Sequence, residues 1–200
     1  MRRAAIYTAL VIVALLLGAL AAWLGGQRAA EPAAHAGPPL PPGGDFTLDA
    51  ADGPVSLASL RGKVVLIYFG YASCPDVCPT SLALIATALK TLAPAERERV
   101  RVLFISVDPL RDKPDMLKKY AGGFHPNILG ITGQHKVIGD VALRYGAYYG
   151  FTPVSSADRY VVDHTSATSV VAPDGRLVEQ LSHGTPPPGI VASMRRWLPR

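Results

Sequence analysis

Apolar positions are distributed unevenly along this chain. From Ala4 to Leu24, 21 consecutive residues carry no charge and most are aliphatic; beyond residue 44 the apolar residues come in short bursts between polar turns. At about 1.5 Å per residue, the first run makes a helix of roughly 31 Å, close to a hydrocarbon core of about 30 Å. Arg2 and Arg3 precede it, only Arg28 follows closely, and Trp23 stands where an interfacial aromatic belongs. That charge bias keeps residues 1–3 in the cytoplasm and carries the rest across. The alternative is a cleaved signal peptide with small residues near Ala19 and Ala21, but its apolar region would run only about 7–15 residues. Residues 4–24 are therefore expected to be an uncleaved anchor. No mitochondrial-type presequence precedes them, which favours a bacterial inner membrane with a periplasmic domain. Residues 25–44 are rich in Pro, Ala and Gly without apolar periodicity, a semi-rigid tether. His35 lies in it and is given no role.

The bursts in residues 45–200 predict alternating strands and helices. Phe46 to Leu60 reads as two short strands around an Asp52-Gly53 turn. Lys63 to Gly70 is a continuous apolar run, the mark of a strand covered on both faces. In the next segment Leu82, Ile85, Ala86, Leu89 and Leu92 recur at helical spacing. A second buried strand ends at Asp108. A helix follows with Pro114 near its first position and Gly122 after its end. ILGITG is a brief strand, and QHKVIGDVALRYG is a helix closed by Gly146. The stretch from Tyr148 to Arg159 reads as a loop whose aromatics (Tyr148, Tyr149, Phe151) make it a candidate partner contact. SATSVVA and RLVEQLS flank Pro173-Asp174-Gly175 as a hairpin, and a proline-led helix ends the chain. Parallel βαβ units, then an antiparallel hairpin and a final helix, give an α/β class with thioredoxin-like order and an added N-terminal hairpin.

Composition narrows the chemistry. Only 18% of residues are charged and 49% are hydrophobic, so a disordered chain is excluded. The net charge of +5 leaves +3 on the part after residue 44, too little for a nucleic-acid footprint. Two cysteines are too few for a disulfide scaffold or a four-thiolate metal site.

Those two, Cys74 and Cys78, fall between a buried strand and the following helix. Pro79 suits the first helical position, which would make Cys78 the cap and put Cys74 on the preceding loop. The unpaired N–H groups of a helix N-terminus favour thiolate over thiol. Two thiolates so close can form a small-ring disulfide or bind a soft ion such as Cu(I). A purely structural disulfide would close only five residues and contribute about 2 kcal/mol. The spacing is CxxxC, neither the CxxC of zinc ribbons and thioredoxins nor the CxxCH of haem attachment. Of the histidines beyond the tether, His125, His135 and His183 read as ordinary surface residues. His164 stands just before the strand that opens the later hairpin, where a thioredoxin-like sheet would face the cysteine-bearing helix. Asp163 beside it is placed to hold one imidazole nitrogen and leave the other free. Taken alone, His164 reads first as an ordinary histidine, since a DH dipeptide is common and no ligand spacing supports it.

The segments YASCPDVCPTSL, FISVDPLRDKP, HPNILGITG and YVVDHTSATSVVAPDG, in this order after a single candidate anchor, resemble the Sco/SenC family. The resemblance covers roughly Phe46 to Leu198. It implies a membrane-anchored, thioredoxin-like copper metallochaperone acting in cytochrome c oxidase assembly, with Cys74, Cys78 and His164 as copper ligands. It further implies the dinuclear copper site of oxidase subunit II as acceptor. Ala72-Ser73 departs from the Thr-His-like pair common before the first cysteine, and Thr168-Ser169 stand where the family commonly carries an aromatic. Neither departure removes a ligand.

The expected function is therefore copper delivery from a periplasmic domain on a single membrane anchor. A thiol reductant would be needed, because oxidation to a Cys74–Cys78 disulfide removes both sulfur ligands. The alternatives are a thiol–disulfide oxidoreductase that keeps the acceptor's cysteines reduced, and a copper or redox sensor. The chaperone and the oxidoreductase both need Cys74 and Cys78, but only the chaperone needs His164.

Overall fold

The computed structural model describes residues 14–20, 39–154 and 160–199. By its contacts the chain divides into two units, Met1–Pro39 and Leu40–Arg200. In the first unit residues 14–20 are helical. The remainder of the expected anchor and nearly all of the tether lie outside the described residues. Among the described residues no helix is long and apolar enough to cross a membrane.

The second unit starts at Leu40, a few residues before the expected boundary at 45. The end of the tether is bonded onto the domain: the Gly43 N–H donates to the Arg144 carbonyl at 2.8 Å, and the Tyr145 hydroxyl donates to the Gly44 carbonyl at 2.9 Å. Strands β1 (Thr47–Ala50) and β2 (Gly53–Ser56) then form the expected antiparallel hairpin, followed by a 3-10 turn at Leu57–Leu60.

The main sheet has the order β5-β4-β3-β8-β9. Its centre is β3 (Val64–Gly70), in which every residue is buried; it runs parallel to β4 (Val100–Ser106) and antiparallel to β8 (Thr168–Val171). β4 in turn pairs parallel with β5 (Ile128–Ile131), and β8 pairs antiparallel with β9 (Leu177–Leu181). Each fully buried Val, Leu, Ile or Phe on these strands contributes about 1.5–3 kcal/mol, which makes the sheet a firm platform. The helices are α1 (Val77–Thr91), α2 (Pro94–Glu98), α3 (Pro114–Phe124), α4 (His135–Arg144) and α5 (Pro187–Trp197), with α1 packed along α5. This is the thioredoxin-like α/β arrangement expected from the element order.

Three local expectations are corrected, and one short helix is added. α1 starts at Val77, so Cys78 and Pro79 lie inside its first turn rather than at its edge. Proline is tolerated there because the first N–H groups have no intrahelical acceptor. α3 runs through Gly122 and Gly123 to Phe124, whose ring packs edge-on against Tyr120 at 5.4 Å and holds the last turn. α2 had not been anticipated; it is too short for periodicity, though Pro94 and the Glu96 carboxylate accepting the Ala93 N–H mark its start. Finally, the first part of the expected Tyr148–Arg159 loop is strand β6 (Tyr149–Pro153), paired antiparallel with β7 (Tyr160–His164) in a separate two-stranded sheet. Gly150 and Pro153 hid its alternation; residues 155–159 lie outside the described set.

Candidate metal centre

Cys74 comes from the loop after β3, Cys78 from the first turn of α1 and His164 from the end of β7. The fold brings the three ligand atoms within 4.8 Å of one another. Atoms bound at about 2.0–2.3 Å to one ion stand up to about 4.6 Å apart, so a slight closure would fit an ion between them. Cys78 Sγ lies 3.1 Å from His164 Nε2. The other ring nitrogen, Nδ1, is 2.9 Å from the Thr165 carbonyl. A carbonyl only accepts, so Nδ1 carries the proton and Nε2 turns its lone pair toward the sulfurs.

This corrects the expected part of Asp163. Its side chain is exposed and accepts a 2.9 Å bond from the Thr152 hydroxyl on the neighbouring strand. Alternation along β7 turns Asp163 away from the face that carries His164. The main-chain oxygen of Thr165 orients the ring, and Asp163 contributes only its charge.

Glycine at position 70 makes the approach possible. A Cβ there would stand 2.6 Å from Cys78 Sγ and 3.0 Å from the Phe104 ring. Tyr68 and Tyr71 place their rings edge-on to His164, at centroid distances of 6.2 and 5.8 Å, and shield it from water. The cysteine loop is pinned from below by Asp112, fully buried, whose Oδ2 accepts from the Ala72 N–H at 2.8 Å and the Ser106 hydroxyl at 2.6 Å. Nothing in the local sequence spacing tied Tyr71, Asp108, Arg111, Asp112 or Tyr160 to the site; the FISVDPLRD segment was the one visible signal.

The two thiols ionise in opposite directions. Burial pushes Cys78 up to about 12, with a nearby Cys74 charge adding to the effect. Burial also opposes ionisation of Cys74, but the N–H groups of Asp76 and Cys78 outweigh it and bring that thiol below its ordinary value. The helix-terminus argument thus holds for Cys74 and fails for Cys78. Burial lowers the His164 imidazole below its usual range, which keeps it neutral. Cys74 is 8% exposed and Cys78 is 0% exposed, so a partner reaches the centre from the Cys74 side.

Among the described residues, His125, His135 and His183 stand apart from this cluster. His135 and His183 are exposed, as expected; His183 Nδ1 is 3.1 Å from the Ser81 hydroxyl. His125 is not a surface residue: it is buried after α3, and its Nδ1 accepts the Asn127 N–H at 3.0 Å. Burial, reinforced by the charges of Arg97 and Lys90, holds its ring neutral.

A thioredoxin-like domain with a CxxxC pair and a facing histidine defines a dithiol–imidazole centre, fit for a soft ion or for dithiol redox chemistry. Residues 35–199 match the SCO1/SenC family model, and the chain belongs to that family. Protein SCO2 of Saccharomyces cerevisiae mitochondria is 37% identical over 142 residues, covering 70% of this chain and 47% of that protein. An SCO2-like protein of Rickettsia prowazekii is 38% identical over 139 residues, covering 68% of this chain and 67% of that one. The match spans about half the length of the yeast mitochondrial relative. Among solved structures, Bradyrhizobium japonicum ScoI with copper bound superposes with a TM-score of 0.71 at 38% identity, over 78% of this chain and 99% of that one. Apo Sco1 of Thermus thermophilus gives 0.72 at 40% identity, over 80% and 92%.

Proposed function

We propose that this protein is a copper metallochaperone that carries its ion on Cys74, Cys78 and His164 and hands it to a copper-free acceptor. The observation that carries this reading is the convergence of two sulfurs and one imidazole nitrogen within 4.8 Å. Copper is cargo here, and three ligands suit cargo. They hold a soft ion firmly while leaving one side open to an incoming thiolate. Loading Cu(I) displaces the Cys78 proton and any remaining Cys74 proton to solvent, and His164 joins as a neutral ligand. Copper-bound relatives, including Bradyrhizobium japonicum ScoI and yeast Sco1, support the choice of metal.

The finer assignments belong to the same proposal. The acceptor is the dinuclear copper site of cytochrome c oxidase subunit II, a thiol reductant keeps the cysteine pair reduced, and Ala4–Leu24 anchors the domain on the periplasmic face of a bacterial inner membrane. A relative described as a member of the Sco family of cytochrome c oxidase assembly proteins supports the first of these. Copper-loaded protein mixed with a copper-free dinuclear acceptor domain should transfer its metal, read by the acceptor's own absorption. A chaperone reading would not survive retention of copper by the donor at equilibrium.

The opposed ionisation of the thiols favours a second reading, a thiol–disulfide oxidoreductase. Cys74 thiolate would attack an acceptor disulfide and release one acceptor thiolate. Cys78, losing its proton, would then attack the Cys74 sulfur of the mixed disulfide and expel the second acceptor thiolate. The products are a Cys74–Cys78 disulfide and an acceptor reduced by two electrons. His164 has no part in those steps, so a His164→Ala protein separates the readings.

A further inference from the structure

Among the described residues, the hairpin that delivers His164 is a two-stranded sheet with no ladder to the main sheet. Such hairpins are marginal in water by themselves. Something must therefore dock β7 against the cysteine loop. Val162 supplies one buried apolar contact. Polar contacts centre on Arg111, between β4 and α3. Its Nε pairs with the fully buried Asp108 carboxylate, and its Nη1 donates to the Tyr160 carbonyl at 3.2 Å. Its guanidinium carbon lies 4.0 Å from the Tyr160 ring centroid and 5.6 Å from that of Tyr71. The Tyr160 hydroxyl closes the loop by donating to Asp108 Oδ1 at 2.7 Å. Tyr160 opens the strand that ends at His164, and Tyr71 stands three residues before Cys74 while packing on the His164 ring.

We propose that Arg111, seated on Asp108, is a positioning residue that clamps β7 to the cysteine loop and thereby presents His164 to Cys78. It touches neither the metal nor the sulfurs; it acts through the histidine strand. A guanidinium is suited to this task because its planar fork can pair with the carboxylate, donate to the carbonyl and cover an aromatic face at once, which an ammonium cannot. The inference rests on the copper-site reading, so its test includes a readout that needs no copper.

The full chain is compared as wild type, Arg111→Met, His164→Ala and the double variant in anaerobic Cu(I) competition titrations. Losing an orienting partner commonly weakens metal binding about tenfold or more, so Arg111→Met should weaken copper binding by that factor when His164 is present. In the His164→Ala background the same substitution should change affinity less than about twofold, because its route of action is gone. In the copper-free protein, nitrogen NMR of the His164 ring should change from a fixed Nδ1–H form to an averaged signal in Arg111→Met. Tyr160→Phe, which deletes one hydroxyl, should shift both readouts the same way by less, and it carries the test if Arg111→Met does not fold. Equal weakening in both backgrounds, or an unchanged ring signal, would overturn the clamp. Equal copper binding by wild type and His164→Ala would instead count against the copper-site reading, and the ring signal alone would then decide the clamp.

Discussion

Cys78 keeps its proton at neutral pH because burial pushes it up to about 12, whereas Cys74 sits below its ordinary value. Copper must displace the Cys78 proton, so each unit of rising pH should strengthen binding about tenfold for that proton. Below the lowered Cys74 value a second proton is displaced and the dependence steepens. Below the lowered His164 value the ring takes up a proton and its contribution is lost. Titrations across a pH series check all three. A flat profile would mean that Cys78 is already ionised. The residue scale is also where the sequence was least informative about orientation. The cysteine pair, its flanking prolines and the histidine were visible in it, but Asp163 looked like the ring's partner only because it is adjacent. Which face of a strand a carboxylate occupies depends on pairing, and the β6–β7 pairing left no periodic trace.

At the scale of elements, the junction between β3 and α1 decides whether the centre exists. Gly70→Ala would drive a methyl carbon into Cys78 Sγ and the Phe104 ring. Overpacking of this kind costs about 1–3 kcal/mol, so denaturant unfolding should show that loss together with weaker copper binding. Asp112→Ala should leave the Ala72 N–H and the Ser106 hydroxyl without their buried acceptor, at about 1–3 kcal/mol. The largely apolar strands β3 and β4, and the helices with apolar stripes, α1 and α4, were legible from the chain. α2 was too short to declare itself, and β6 was masked by Gly150 and Pro153. The start of α1 was misplaced because a proline fits anywhere in a first turn.

At the scale of the whole molecule, the domain from Leu40 onward needs an oxidation state and a location. Oxidising the Cys74–Cys78 pair should abolish copper uptake, and a dithiol reductant should restore one copper per chain, measured by metal analysis after gel filtration. If Ala4–Leu24 is the anchor, the chain should stay with membranes through alkaline extraction, and removing residues 1–24 should release it. Release of the full chain by alkali would refute the anchor.

The central claim is that His164 completes a three-ligand copper site with the two cysteines. Its most direct test is an anaerobic Cu(I) competition titration of the reduced full chain, wild type beside His164→Ala. One tightly bound copper per chain, weakened by at least about tenfold in the variant, is the predicted result. Weak binding by wild type, or equal affinity in both proteins, would contradict the account and leave the dithiol redox reading in its place.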